Sequence, residues 1–181
     1  MIYIVIPVHN RIEKTIKCLN SIYMQNENDI QIVVVDDGST DGTKVSIQNK
    51  YPEITVLNGT GSLFWTGAVV LGIEYVLKIC NKEDYVLLMN NDVQVKNDTI
   101  SKLVSFSNSH NRKVIVNALS VDSNDHDTII KSGTKILSWA LNRTKHIYHG
   151  SSLKGLLSND VVEVDLLTGR CLLHPVEIFN K

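Results

Sequence analysis

The sequence has few cysteines and no long apolar run, and each shortage excludes a class of protein. Its three cysteines lie far apart, at positions 18, 80 and 171, which argues against a disulfide framework and for a reducing compartment. No uncharged apolar run approaches the ~20 residues that a membrane-spanning helix needs. No basic leader or cleavage site comes before the first strand pattern. We therefore expect a cytoplasmic protein without a signal peptide.

The chain also lacks an excess of charge of either sign. Its 18 basic and 19 acidic residues give a formal net charge of -1, so no overall basic field attracts nucleic acid. An anionic substrate must therefore be held by local features. The hydrophobic fraction of 43% and the charged fraction of 20% are those of a folded globular protein. A chain of 181 residues is long enough for one domain with a real core.

Strand patterns alternate with helix patterns along the first two thirds of the chain. Continuous apolar runs predict strands buried on both faces, and apolar residues at helical spacing predict the helices between them. Strands are predicted at 2–6, 32–35, 54–57, 85–89 and 114–116, with helices at 12–23, around Val45, at 67–80 and at 98–106. This alternation predicts an α/β fold with a mainly parallel central sheet and helices on both faces.

The alternation ends near residue 120, which we interpret as a change of subregion and not as a domain boundary. Residues 122–127 form a polar loop, and residues 129–141 have the pattern of short strands around Gly133. Two local expectations accompany this outline. Ser39 or Thr40 should cap the short helix that carries Val45, and Trp139 should pack in a core.

Polar residues follow three of the predicted strands. Pro7 to Arg11 follow the first, Asp36 to Asp41 the second, and Asn90-Asn91-Asp92 the fourth. Each group alone could be an ordinary turn or helix cap. In an open parallel sheet, however, ligands collect at the carboxyl ends of the strands. The three groups together therefore predict one ligand site at that edge.

Five stretches of the chain follow one another in a recognisable order. They are YIVIPVHNR at 3–11, VVVDDGSTDGT at 33–43, FWTGA at 64–68 with GI at 72–73, LLMNNDV at 87–93, and LTGRC at 167–171. This series resembles the nucleotide-sugar-binding part of family-two glycosyltransferases, which are inverting enzymes of the GT-A fold, and in particular the rhamnosyltransferase-like members. The resemblance implies a Rossmann-like nucleotide-binding part at 1–118 and the start of an acceptor-side part, small and β-rich, at 119–181.

The resemblance also implies roles for individual residues. Carboxylates suit the N–H of a uracil-type base and the hydroxyls of ribose. A divalent cation, Mg²⁺ or Mn²⁺, would neutralise the departing diphosphate. By this resemblance the nucleotide-binding residues are Pro7, Val8, His9, Asn10, Arg11, Asp36, Asp37, Gly67 and Asn91, and the metal ligand is Asp92.

The chain departs from the family pattern at four places. Its metal motif has one carboxylate fewer than Asp-x-Asp, because Asn stands in the place of the first Asp. His9 replaces an aromatic residue such as Tyr, and Val70 stands where many relatives have Asn. The catalytic base of the family is expected beyond Lys181, so we expect a truncated enzyme. Asp165 is the carboxylate closest in sequence to the acceptor-side stretch, but its simplest role is that of a strand-end residue.

These residues lead to three functional hypotheses. The first is transfer of a sugar, with inversion, from a UDP- or dTDP-sugar to a glycan or lipid-linked hydroxyl acceptor in cell-surface polysaccharide synthesis, with peripheral membrane association allowed and oligomeric state open. The second is a nucleotide-binding module without transferase activity. The third is a nucleotidyltransferase, which would need a glycine-rich phosphate loop that Pro7 to Arg11 do not provide.

Overall fold

The computed structural model describes residues 1–27, 29–156 and 161–179. The chain forms two compact units. The first comprises Met1–Val116 together with Gly169–Lys181, and the second comprises Asn117–Thr168. The second unit is therefore inserted into the sequence of the first, and its two ends are joined by a hydrogen bond of 2.8 Å from Asn117 Nδ2 to Thr168 Oγ1.

The secondary structure alternates as the sequence predicts before it changes to short strands. In chain order the elements are β1 (Ile2–Val8), α1 (Ile12–Tyr23), β2 (Ile30–Asp36), α2 (Thr43–Lys50), β3 (Thr55–Asn58), α3 (Phe64–Leu77), β4 (Tyr85–Met89), α4 (Thr99–Ser109), β5 (Val116–Asn117), β6 (Ser120–Val121), β7 (Ile129–Lys131), β8 (Thr134–Ser138), β9 (Arg143–His146) and β10 (Cys171–Pro175). Short 3₁₀ turns occupy Leu153–Gly155 and Val176–Ile178. No helix among the described residues has the length and apolarity to cross a bilayer.

The central sheet has six strands in the order β3-β2-β1-β4-β10-β5. Strands β3, β2, β1 and β4 run parallel, while β10 runs antiparallel to β4. The prediction of a mainly parallel α/β sheet is confirmed. Helix α3 packs closely on it, since a Cβ at Gly72 would lie 2.4 Å from Cγ1 of Val5. Strand β1 is buried at all seven of its positions, which explains its continuous apolar sequence.

The second unit consists of two small antiparallel pairs, β6 with β7 and β8 with β9. The predicted short strands around Gly133 are present as β7 and β8. The prediction that Trp139 packs in a core is wrong. Trp139 lies in the turn between β8 and β9 and its side chain is exposed, because this two-stranded hairpin offers no apolar layer into which an indole could insert.

The predicted cap of α2 is also wrong. Gly42 precedes the helix in a left-handed conformation with φ of 83°, and the N–H of Thr43, the first helical residue, donates to Oδ1 of Asp41 at 3.1 Å. Ser39 instead accepts a hydrogen bond from the backbone N–H of Asn10 at 2.7 Å. Other boundaries shift modestly: α3 begins three residues before the predicted 67, and the fifth strand begins at Val116 rather than at 114.

Candidate functional site

The ends of β1 and β2 meet at the carboxyl edge of the sheet. Val8 pairs in register with Asp36, and the next backbone N–H, that of Asp37, donates to the Val8 carbonyl at 2.8 Å. The ring of His9 donates from Nδ1 to the carbonyl of Asp37 at 2.7 Å, which fixes the tautomer. Pro7 and Val8 are buried within β1. The first two polar groups predicted from the sequence therefore form one continuous edge.

Asn10 connects the loop after β1 to the loop after β2. Its carbonyl Oδ1 accepts the N–H of Thr40 at 2.8 Å, while its own N–H donates to Ser39. Asn10 and Arg11 both adopt the left-handed conformation, with φ of 59° and 67°, which asparagine tolerates better than arginine does. Asp41 accepts the N–H of Ile12 at 3.1 Å, so the β2 loop also anchors the start of α1.

The carboxylates of Asp36, the last residue of β2, and of Asp37 are buried, and both order the loops that follow. Oδ1 of Asp36 accepts the N–H of Ser39 at 2.9 Å. Asp37 accepts the N–H of Gly61 at 2.7 Å on Oδ1 and the N–H of Phe64 at 3.0 Å on Oδ2. A Cβ at Gly59 would lie 2.5 Å from Asp37 Oδ1, so only glycine allows this close approach. Each carboxylate oxygen keeps a further acceptor site, and direct contact with a base stays a prediction.

Phe64 begins the stretch FWTGA, but its residue type gives no sign of its backbone conformation. Its φ is 53°, an unusual conformation for an aromatic residue, and its side chain is exposed at the start of α3. The carboxylate of Asp37 holds the Phe64 N–H in place. Strained residues of this kind cluster at functional sites, where surrounding contacts maintain them.

The third polar group is bound into the same edge through α1 and α3. The indole N–H of Trp65 donates to Asn90 Oδ1 at 2.8 Å. Nδ2 of Asn91 donates to the Thr15 hydroxyl at 2.9 Å, and that hydroxyl donates to the Arg11 carbonyl at 3.1 Å. This chain of donors turns the amide nitrogen of Asn91 inward, which leaves its carbonyl oxygen as the group suited to a ligand.

Asp92 is paired with Arg11, with 3.7 Å between Oδ2 and the guanidinium. No group of three metal-ligand side chains exists within residues 1–27, 29–156 and 161–179. The donor set nevertheless fits a hard cation, because the Asp92 carboxylate and the Asn91 carbonyl are both oxygen ligands. Two protein oxygens are too few for a closed site, so substrate phosphate and water would have to complete it.

Gly67 and Asp165, two further residues named from the sequence, make other contacts. Gly67 is in the first turn of α3, and its N–H donates to the Leu63 carbonyl at 3.0 Å. Asp165 belongs to the second unit, where its carboxylate accepts the Ile136 N–H at 2.7 Å and lies 3.7 Å from the Lys135 ammonium. These contacts tie Asp165 to β8, next to the isolated bridge of Leu166 with Thr134.

The acceptor-side stretch reaches the site through its last residues. A Cβ at Gly169 would lie 2.6 Å from Cζ2 of Trp65, and the backbone carbonyl of Arg170 accepts the Asn90 N–H at 3.1 Å. Two buried thiols lie nearby, and burial raises the pKa of Cys18 and of Cys171 to about 12. Burial thus disfavours the thiolate, which is the nucleophilic form, at both positions.

The chain was compared with protein families, with curated proteins and with solved structures. The family model described as glycosyl transferase family 2 matches residues 3–156. A comparison with curated proteins found no significant match.

Three of the similar solved structures are a mannosyltransferase of Pyrobaculum calidifontis in complex with GDP-Man and Mn²⁺ (23% identity, TM-score 0.50, 59% of this chain and 32% of that one), residues 1–349 of S. aureus TarS (21%, 0.53, 78% and 42%), and the same TarS fragment in complex with UDP-GlcNAc (22%, 0.53, 67% and 37%). At these identities the likeness concerns the fold. The chain spans between 32% and 42% of the length of these structures.

Proposed function

Because the chain belongs to glycosyl transferase family 2, we propose that it takes part in sugar transfer and that its first unit holds the nucleoside diphosphate sugar donor. The observation that carries this proposal is the single polar edge formed by the ends of β1, β2 and β4. Backbone and side-chain bonds tie all three strand ends together. Such preorganisation reduces the cost of ordering loops when a ligand binds.

We propose a uridine or thymidine diphosphate sugar as the donor. Asp36 and Asp37 are carboxylates at the strand end, and both keep acceptor capacity that suits a base N–H or a ribose hydroxyl. Support comes from the TarS fragment of similar fold, which is in complex with UDP-GlcNAc. The mannosyltransferase of similar fold is in complex with GDP-Man, so guanosine diphosphate is the necessary comparison in any test.

Asp92, with the Asn91 carbonyl, would hold Mg²⁺ or Mn²⁺ against the diphosphate. The bound cation would neutralise negative charge as the sugar leaves. Arg11 lies beside Asp92 and is the cation that this chain itself supplies at the same place. The mannosyltransferase of similar fold is in complex with Mn²⁺, which supports a divalent cation in this role.

The acceptor is proposed to be a hydroxyl of a glycan or of a lipid-linked glycan in cell-surface polysaccharide synthesis. Its oxygen would attack the anomeric carbon of the donor sugar with inversion, as the bond from that carbon to the diphosphate breaks. Inversion needs a group that takes the hydroxyl proton. The prediction that this base lies beyond Lys181 stays a prediction, and Asp165 is engaged with Ile136 and Lys135. A module that binds nucleotide without transfer is the alternative, and it shares the donor site.

Calorimetry with UDP, dTDP, GDP and AMP, each with and without Mn²⁺, tests the donor proposal. We expect UDP or dTDP to bind most tightly, and Mn²⁺ to strengthen binding of diphosphates more than that of AMP. Equal affinity for all four nucleotides, or none for any of them, would contradict it. A labelled UDP- or dTDP-sugar with a hydroxyl acceptor then separates the two functions, since the binding module would bind donor and release no glycosylated product.

A further inference from the structure

The hairpin of β8 and β9 exposes three large apolar side chains around its turn. The exposed fractions are 58% for Leu137, 83% for Trp139 and 69% for Leu141, and we name these three residues the apolar tip. An exposed Leu is common, but three large apolar residues within five positions form a patch. Patches of this kind mark surfaces that contact another molecule.

The apolar tip is held on an ordered turn. The N–H of Asn142 donates to the Trp139 carbonyl at 3.3 Å, and the N–H of Leu141 donates to the Ser138 hydroxyl, also at 3.3 Å. Asn142 has φ of 47°, a left-handed conformation that asparagine tolerates. Because the turn is closed by its own bonds, the side chains of the tip are presented outward without the support of a core.

Cations flank the apolar tip, and two of them repel each other across the hairpin. Lys135 pairs directly with Lys145 across the two strands, and like charges in that position destabilise a sheet. Arg143 pairs with Ser138 at the turn end of β9. Residues 134–146 contain these three cations and no Asp or Glu.

One of the three cations is compensated within the unit. Lys135 lies 3.7 Å from the carboxylate of Asp165. For Arg143 and Lys145, no described residue places a carboxylate within 4.0 Å. Strand β9, which carries both, is exposed along its whole length. An anionic partner would relieve the repulsion between the two lysines and pair the other charges.

We propose that the β8–β9 hairpin docks on an anionic lipid bilayer. The apolar tip enters the boundary between headgroups and acyl chains, where an amphipathic indole is most stable. Arg143 and Lys145 lie against headgroup phosphates, which attract basic residues close to the surface. A lipid surface explains the tip and the cations together. This docking is independent of the donor site, so vesicle binding and nucleotide binding can fail separately.

Co-sedimentation with vesicles is the first test. We compare phosphatidylcholine vesicles with vesicles that contain about 30% phosphatidylglycerol, a fraction that gives a negative surface potential. The 181-residue chain should bind the anionic vesicles preferentially. Salt of about 0.5 M should weaken this binding, because it screens exposed charges.

Two double variants separate the contributions of charge and apolar insertion. Arg143→Gln with Lys145→Gln should lower partitioning into the anionic vesicles about 30-fold, because each basic residue near an anionic surface strengthens binding by a factor of about five. Trp139→Ser with Leu141→Ser should abolish sedimentation with either vesicle. The matched controls are Lys78→Gln with Lys82→Gln and Met24→Ala with Val45→Ala, which change exposed residues elsewhere and should bind like the wild type.

Tryptophan emission provides a second measurement on the same proteins. Vesicles should shift the emission to shorter wavelength, Trp139→Phe should abolish the shift, and Trp65→Phe should preserve it. The proposal is overturned by equal binding to both vesicle types, by unchanged binding of both double variants, or by no binding. Self-association in sedimentation velocity that Trp139→Ser with Leu141→Ser abolishes, without vesicle binding, would overturn it in favour of a second copy of this chain.

Discussion

Strand β1 of the first unit is buried along all seven of its residues, whereas strand β9 of the second unit is exposed along all four. The first unit therefore derives its stability from apolar burial on both faces of a sheet. The second unit depends more on local polar bonds, such as those that Asp125 and Asp127 accept from backbone N–H groups and from the hydroxyls of Thr128 and Ser152. Burial gives the first unit a rigid edge on which a ligand site can be built, while the second unit presents surface.

Truncation of a core side chain in the first unit should cost far more stability than truncation of an exposed side chain in the second. Ile4 is fully buried in β1, and Ile4→Ala should lower the free energy of unfolding by about 2–5 kcal/mol. Leu137→Ala, the matched change at an exposed position of β8, should stay within about 0.5 kcal/mol. Urea denaturation measures both. Equal losses would mean that the second unit is packed as tightly as the first.

The two units should lose stability in different ranges of pH. Burial lowers the pKa of His174 in the first unit from 6.5 to about 4, so the fold excludes a proton that the unfolded chain accepts. Its contribution should disappear as the pH falls from about 6.5 to about 4. The Thr128 hydroxyl, with two backbone N–H groups, lowers the pKa of Asp125 in the second unit from 3.8 to about 2. That stabilisation is present above pH 3.8 and is lost as the pH falls toward 2.

Melting temperatures of His174→Leu and Asp125→Asn, measured across this range, check the assignment. Each substitution should flatten the pH dependence in its own window and leave the other window unchanged. A variant that flattens both windows, or neither, would contradict the separation of the two units.

The smallest expected effect concerns the ion pair of Arg11 and Asp92. Because Arg11 and a divalent cation compete for one carboxylate, Arg11→Ala should tighten Mn²⁺ binding in the presence of UDP. Exposed pairs contribute about 0.2–1 kcal/mol, so a change of between about 1.4-fold and about fivefold is expected. Asp92→Asn should abolish the effect of Mn²⁺ on UDP affinity. Lys102→Ala, which breaks the exposed pair with Asp98, is the control for loss of a surface cation.

The features that depend on a local sequence pattern could be predicted. The prediction of 85–89 for the fourth strand agrees with β4 at both ends, since a continuous apolar run there is bounded by Asp84 and Asn90. Interactions between distant positions were not readable in this way. The bond from Phe64 to Asp37 spans 27 positions, and the unusual φ of Phe64 has no signature in its residue type.

The errors fall where a residue type has more than one favourable use. Trp139 was expected in a core because aromatics usually stabilise cores, but the β8–β9 hairpin has no second layer. Ser39 and Thr40 are good helix caps, yet Gly42 directly precedes α2 and Ser39 accepts its hydrogen bond from Asn10. Composition records which groups are available, and only the tertiary fold decides which partner each one takes.

The most direct test of the central claim is UDP affinity, measured by calorimetry with Mn²⁺ for Asp37→Asn and for Asp165→Asn. Both changes replace one carboxylate by an amide of the same shape, the first in the first unit and the second in the second unit. Asp37→Asn should weaken binding by about 1.5–3 kcal/mol, the range for a hydrogen bond to a charged group, while Asp165→Asn should leave affinity unchanged. Circular dichroism of both variants is the control for correct folding. Unchanged affinity in Asp37→Asn, or an equal loss in Asp165→Asn, would contradict a donor site at the carboxyl edge of the first unit.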